Sequence, residues 1–243
     1  MPRNTRQTEI NIEAIWKRLN ELSNKEYAVV SMRFFKTGPG EYGEGDQFVG
    51  IRVPTLRKLA KEFKDLSTRD AQILLSSPIH EARLLSLLLL MHHYANGGET
   101  TKRKIHEFYL AHTRFVNNWD LVDLSAEHIV GDYLRLQDKS PLYRLALSRD
   151  IWRRRISILA TFCYIKRKEF ETTLKISEML LQDREDLIQK AVGWMLREVG
   201  KRDLSSEEAF LKSHYHEMPR TMLRYAIERF PEEIRKNSLN GRV

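Results

Sequence analysis

An aromatic residue and a carboxylate lie one helical turn apart in the segment Asn118-Trp119-Asp120-Leu121-Val122-Asp123. Trp119 and Asp123 are separated by four positions, so they would share one face of a helix. An indole face beside a carboxylate can stabilise a developing positive charge. The same spacing also fits a tryptophan in the core and an acid in solvent, so spacing alone leaves both interpretations open.

A second segment places three cations and an indole on one stripe of a predicted helix, at Lys190, Trp194, Arg197 and Lys201. Cations neutralise phosphates, and an aromatic ring can pack on a sugar or a base. A tryptophan buried between helices with solvated flanks explains the pattern equally well. Gly193, which precedes the indole, would allow another backbone or a ligand to come close.

Three consecutive arginines follow Trp152 in the segment Trp152-Arg153-Arg154-Arg155. On a helix they point in three directions, so they cannot all face one partner. Arg155 is the best candidate for a ligand contact, because it shares its position in an internal repeat with Lys190.

Several common kinds of site are disfavoured. The glycine-rich stretch at 37–47 reads as a loop, but it lacks the Gly-Lys-Ser/Thr ending of a phosphate cradle and carries three acids. The pairs His92-His93 and His214-x-His216 lack the companions of a zinc site, so no metal is expected. Cys163 lies in an apolar run, as expected for a buried, inert thiol.

Helical periodicity dominates the rest of the chain. Apolar residues recur at spacings of three and four in the segments 70–75, 81–94, 102–112, 151–166, 170–181 and 186–201. Helix starts are expected at Pro54, at Ser67-Thr68, at Asp150 and at Asp183. No segment alternates as a strand would, so the sequence predicts an all-α fold.

A degenerate repeat is also visible. Basic residues precede apolar runs at Arg83, Arg155 and Lys190, with spacings of 72 and 35. A two-helix unit of about 36 residues is typical of an α-solenoid. We expect a single domain over 1–243, interrupted by the loop at 37–47 and ending in a short tail at about 236–243.

The bulk composition favours a polyanionic partner. The 243 residues contain 41 basic and 33 acidic side chains, a formal net charge of +8. The longest apolar run, near Leu84 to Met91, is too short for a bilayer, and the N-terminus shows no signal-peptide core. With only one cysteine, the chain is expected to be cytoplasmic.

Four stretches resemble the AlkD-type DNA alkylation repair glycosylases, in family order between about Tyr27 and Phe230. They are 48–54 (FVGIRVP), 118–123 (NWDLVD), 151–155 (IWRRR) and 188–198 (IQKAVGWMLRE), of which the last is the most specific.

The resemblance implies a curved stack of HEAT-like helical pairs with a basic concave face. It implies hydrolysis of the N-glycosidic bond of purines alkylated at N3 or N7 in duplex DNA, with no metal or cofactor and no base-flipping pocket. The implied catalytic residues are Asp123, Trp119 and Trp194, and the implied DNA contacts are Arg155, Arg197, Lys190 and Phe34.

The chain departs from the family pattern at three places. Asn118 stands where the family often has a tryptophan, Phe34 stands where it usually has a tyrosine, and the glycine-rich loop is longer. Despite these departures, the main hypothesis is a monomeric glycosylase that needs no protein partner. The alternatives are a non-catalytic HEAT-like DNA-binding protein and a protein-binding scaffold, which would have an apolar concave face instead of a basic one.

Overall fold

The computed structural model describes residues 11–240, and every regular element in that range is helical. A single isolated β-bridge joins Gln47 to Ile79. The α-helices are α1 (Ile12–Glu21), α2 (Lys25–Phe34), α3 (Val53–Glu62), α4 (Thr68–Leu75), α5 (His80–Asn96), α6 (Glu99–Ala111), α7 (Trp119–Ala126), α8 (Asp132–Leu134), α9 (Ser140–Ala146), α10 (Ile151–Ala160), α11 (Phe162–Ile165), α12 (Glu171–Met179), α13 (Asp186–Gly200), α14 (Leu204–His214), α15 (Arg220–Ala226) and α16 (Glu232–Leu239). A π-helical turn, Glu127–Gly131, joins α7 to α8.

Most of the predicted helix starts are correct. Ser67 caps α4 and Asp150 caps α10 through their side chains, and Pro54 lies in the first turn of α3. The start predicted at Asp183 is wrong, because α13 begins at Asp186 and the Asp183 carboxylate pairs with Arg154 at 2.6 Å.

One predicted helix is divided into two. The segment expected to be continuous from 151 to 166 forms α10 and α11, with a break at Thr161. The Thr161 hydroxyl donates to the carbonyl of Ile158 at 2.7 Å, which competes with the regular helical bonding. Apolar periodicity continues across the break, so the pattern did not show it.

The described residues divide into two compact units, 11–105 with 114–121, and 106–113 with 122–240. In the first unit, α5 packs against α3 and α4, and its residues from His80 to Leu90 are all buried. In the second unit, α13 packs against α10, α14 and α15. Burial on every side explains why α5, beyond its charged first turn and as far as Leu90, is apolar on every face, with Ser86 as the exception.

A repeated contact appears at the start of three helices. The fourth residue of α5, α10 and α13 reaches back to a backbone carbonyl six positions earlier: Arg83 to Ser77, Arg154 to Ser148 and Gln189 to Asp183, at 2.9, 3.0 and 2.9 Å. In this contact Arg83 is equivalent to Arg154, and not to Arg155 as the spacing of the apolar runs predicts. Arg155 and Lys190 do correspond, because each is the fifth residue of its helix.

Gly193 permits the close packing that its position suggested. A Cβ there would collide with the carbonyl oxygen of Met222 and with Tyr225, so α15 lies directly against α13 at this point. The loop at 37–47 consists mainly of turns and bends, and α16 extends through residues 236–239, which had been expected to form a tail. Within residues 11–240, no helix is long and apolar enough to cross a bilayer.

Candidate functional site

Both oxygens of the Asp123 carboxylate accept hydrogen bonds from one guanidinium, that of Arg155. Nε and Nη2 of Arg155 donate to its two oxygens, each at 2.8 Å. Nη1 of Arg155 donates to the carbonyl of Leu187 at 2.5 Å, which ties the arginine to the start of α13. The two parallel bonds fix the plane of the carboxylate. About a fifth of the Asp123 side chain stays accessible, so a ligand could reach it.

Arg155, predicted as a DNA contact, lies buried beside Asp123. Its side chain is 6% exposed, and three of its five N–H groups donate within the protein. A guanidinium with these bonds orients the carboxylate of Asp123. Because Asp123 and Arg155 are 32 residues apart, helix periodicity could select both residues but could not pair them.

The predicted cationic stripe lies on α13, and each of its cations has an acidic neighbour. Lys190 pairs with Asp186 at 2.5 Å, Lys201 pairs with Glu198 at 2.5 Å, and Arg197 pairs with Glu228. Trp194 lies between Lys190 and Arg197 in the sequence and is half-buried. The centroid of its ring is 5.9 Å from that of Phe162. These ion pairs are partly exposed, so the phosphates of a polyanion could replace the carboxylates as partners of the three cations.

A buried acid lies near the end of this stripe. Glu207 on α14 is 2% exposed, and its Oε1 has no hydrogen-bond partner within the described residues. Burial raises the pKa of Glu207 to about 8, although the charge of Arg197 opposes the shift. The group is therefore mostly protonated at neutral pH, but its burial separates it from any bound substrate.

We expect Glu207→Gln to stabilise the protein more at pH 8 than at pH 5. An acid with a raised folded-state pKa binds its proton more tightly in the folded state, so the wild type loses stability as pH rises from about 4.5 to about 8. The amide has no charge to bury, so the gain should reach a few kcal/mol, roughly, at pH 8. Urea unfolding at both pH values measures it. Glu208→Gln, at the exposed neighbour, is the control, and equal pH dependence in the two variants would contradict the assignment.

In the first unit, Trp119 belongs to a cluster of aromatic rings. Its ring stacks on Phe35 at 5.3 Å, and Phe35 stacks on Phe48 at 5.1 Å. Phe34 meets Trp119 edge-on at 5.9 Å and is 63% exposed. An exposed phenyl ring beside an ordered indole is a suitable surface for stacking against a base or a sugar.

These rings line a cavity of about 430 Å³ in the first unit. Phe34, Phe35, Phe48 and Trp119 form apolar walls, and Arg52 lies at the same cavity. No local sequence pattern predicts this cavity, because its walls come from α2, α3, α5 and α7 and the loop before α3.

A buried polar cluster borders the same cavity. His80, 2% exposed, has Nδ1 at 3.2 Å from Asp46 and Nε2 at 2.8 Å from Asp120. Arg83 lies 2.7 Å from the other oxygen of Asp46, to which the side-chain amide of Asn117 also donates at 3.0 Å. His80 and Asp46 are not among the site residues predicted from the sequence. The available signal was a set of charged residues at the start of the otherwise apolar α5.

The geometry favours the charged form of His80. A neutral imidazole has one N–H, whereas both ring nitrogens of His80 face carboxylate oxygens, which only accept. Burial alone would lower the pKa of His80, but the hydrogen bonds to Asp120 and Asp46 raise it above its ordinary value. Burial alone would raise the pKa of Asp46, but His80, Arg83 and Asn117 lower it.

Among residues 11–240, no group of three or more histidine, cysteine, aspartate or glutamate side chains is arranged to hold a metal ion. Cys163 is buried, and burial raises the pKa of its thiol to about 12, so it stays protonated at neutral pH.

Comparison with known proteins identifies the family. The model of a family described as DNA alkylation repair enzyme matches residues 15–230. The chain belongs to the DNA alkylation repair enzyme family. The match spans both compact units and includes every residue predicted for the site. No curated protein matched the sequence.

Two solved structures resemble this DNA alkylation repair family member in fold. One is a predicted DNA alkylation repair enzyme from Enterococcus faecalis, 17% identical, covering 86% of this chain and 97% of that one with a TM-score of 0.66. The other is smu.31 from Streptococcus mutans UA159, 16% identical, covering 91% and 99% with a TM-score of 0.52. At these identities the likeness supports the all-helical fold.

Proposed function

We propose that the protein is a DNA glycosylase that hydrolyses the N-glycosidic bond of purines alkylated at N3 or N7. The observation that carries this proposal is the Asp123 carboxylate, which Arg155 orients through two hydrogen bonds while part of it remains accessible. The family adds a role in DNA alkylation repair. A fixed, accessible negative charge is what the reaction needs at the sugar.

The chemistry follows from the charge of the lesion. Alkylation at N3 or N7 makes the purine cationic, so it leaves as a neutral base without being protonated. The glycosidic bond breaks, its electrons go to the base, and positive charge develops on the sugar. Asp123 stabilises that charge and accepts a proton from the water that attacks the sugar. We assign the indole faces of Trp119 and Trp194 to the sugar, where their π electrons favour a cation.

We further propose that the helical pairs are HEAT-like repeats of one α-solenoid domain whose basic concave face binds duplex DNA. The repeated back-bonding by Arg83, Arg154 and Gln189 supports the repeat. The net charge of +8 supports duplex DNA, a polyanion, as the partner. The protein would act as a monomer, without a cofactor and without a pocket for the flipped base.

The ion pair itself suggests a second candidate. A carboxylate compensated by a buried arginine could have a purely structural role, and the protein would then bind DNA without reacting. Release of methylated purine from alkylated duplex DNA by the purified protein separates the two. The glycosylase releases the free base, whereas the binding protein retains the alkylated DNA intact.

DNA binding should weaken steeply with salt. If Lys190 and Arg197 contact phosphates, Lys190→Ala and Arg197→Ala should each reduce the salt slope by about one unit and weaken damaged and undamaged duplexes alike. Asp186→Asn should act in the opposite direction, because it removes the acid that pairs with Lys190 at 2.5 Å. Fluorescence anisotropy at four salt concentrations provides the slopes. A salt-independent affinity in the wild type would contradict phosphate binding.

A further inference from the structure

His80 connects three segments of the first unit that are distant in sequence. It begins α5, its Nδ1 faces Asp46 at the end of the glycine-rich loop, and its Nε2 faces Asp120 in the first turn of α7. The backbone reinforces the link, since Gln47 N–H donates to the carbonyl of Pro78 at 3.1 Å and His80 N–H donates to that of Gln47 at 2.8 Å. One ring therefore holds a loop and a helix start together.

The same ring also reaches Trp119 through stacked side chains. His80 stacks on Phe48 at 4.5 Å and lies 5.0 Å from Phe35, which in turn stacks on Trp119 at 5.3 Å. In addition, Asp120 directly follows Trp119 in α7. A displacement of His80 would thus be transmitted to the indole both through the rings and through the backbone.

The charges around the ring balance only when His80 is protonated. The groups facing it are Asp46 from the loop, Asp120 from α7 and Arg83 from α5, which together with an imidazolium sum to zero. Glu81, next on α5, is committed to the backbone N–H groups of residues 49–51. Loss of the His80 proton would leave one excess buried negative charge and a nitrogen lone pair facing a carboxylate.

We propose that His80 is a positioning residue whose imidazolium, bridging Asp46 and Asp120, fixes Trp119 at the site, so that raising the pH releases the indole from its working position. The device acts through Trp119 and not through contact with the substrate. Its effect on catalysis rests on the proposed glycosylase function, whereas its effect on the indole does not.

The test follows the indole directly. The protein is labelled with 5-fluorotryptophan, and the Trp119 signal is assigned by its absence in Trp119→Phe. In the wild type we expect its ¹⁹F resonance to titrate in one step above pH 6.5, the ordinary value for histidine. In His80→Gln that step should be absent. In Asp120→Asn, which removes one facing charge, the step should move down by about one pH unit or more. His92→Gln, at an exposed histidine, should titrate like the wild type.

Base release provides a second readout. Between pH 6.5 and 9 the wild-type single-turnover rate should fall along the same curve as the Trp119 resonance. His80→Gln should be about tenfold slower at pH 6.5, without that fall and with affinity for undamaged duplex within twofold of the wild type. A Trp119 resonance that does not titrate, or one that titrates identically in Asp120→Asn, overturns the proposal. Titration of the resonance in a protein that releases no base would support the positioning role and reject the glycosylase instead.

Discussion

Asp123→Asn should lower the single-turnover rate of base release by at least about 100-fold. The amide matches the carboxylate in shape but removes the charge that stabilises the sugar cation and that accepts the water's proton. It also breaks half of a bidentate pair, leaving the buried Arg155 with a neutral neighbour. We therefore expect a loss of about 1–3 kcal/mol in unfolding free energy, which the assay temperature must allow for.

A second aspartate provides the control for this variant. Asp132 on α8 faces Arg167 at 3.7 Å and is 38% exposed, so Asp132→Asn removes the same charge from an exposed pair. Its release rate should stay within about twofold of the wild type, since exposed pairs contribute little. Circular dichroism and duplex binding establish that both variants are folded. A folded Asp123→Asn protein that releases base as fast as Asp132→Asn would remove Asp123 from the reaction.

The second large effect concerns the charge of the lesion. Asp123 acts as a carboxylate paired with Arg155, and the protonated Glu207 is buried, so neither acid is available to protonate a departing base. The leaving group must supply its own activation. N7-alkylguanine and N3-alkyladenine should be released, whereas uracil or an oxidised guanine should react at least about 100-fold more slowly, the usual contribution of a missing general acid.

Duplexes that carry one lesion each, in the same flanking sequence, measure this difference. A series of N7-alkylguanines of increasing size keeps the charge constant and should vary by less than about tenfold, because an open surface does not exclude a large group. The aromatic cavity beside Trp119 is where a size limit would arise. Efficient release of a neutral base, or a sharp size limit at constant charge, would show that a pocket recognises the base and that this mechanism is wrong.

The sequence predicted the helical fold better than it predicted the contacts. Periodicity of three and four identified the helices, because burial of one face is a local pattern. It did not identify the break at Thr161, where a hydroxyl competes for a carbonyl, or the back-bonding contact that Arg83 shares with Arg154. Both depend on hydrogen bonds, which leave the apolar pattern unchanged.

The same limit explains the candidate site. Spacing selected Trp119 and Asp123 because they lie on one helix, and repeat register selected Arg155. That Arg155 binds Asp123 depends on the packing of α10 beside the turn that follows α7, which no local pattern describes. His80 was missed for the same reason, because its two partners lie 34 and 40 positions away along the chain.

The most direct test of the glycosylase is a count of its two products. Duplex DNA carrying N7-methylguanine is incubated with excess protein at pH 6.5 and moderate salt, and free base and abasic sites are quantified over time. The account predicts equal amounts of free base and abasic sites, formed faster than in protein-free DNA. With Asp123→Asn, the rate should fall to nearly that of protein-free DNA. Tight binding of the methylated duplex with products forming only at the protein-free rate would contradict it and identify a protein that binds alkylated DNA without cleaving the glycosidic bond.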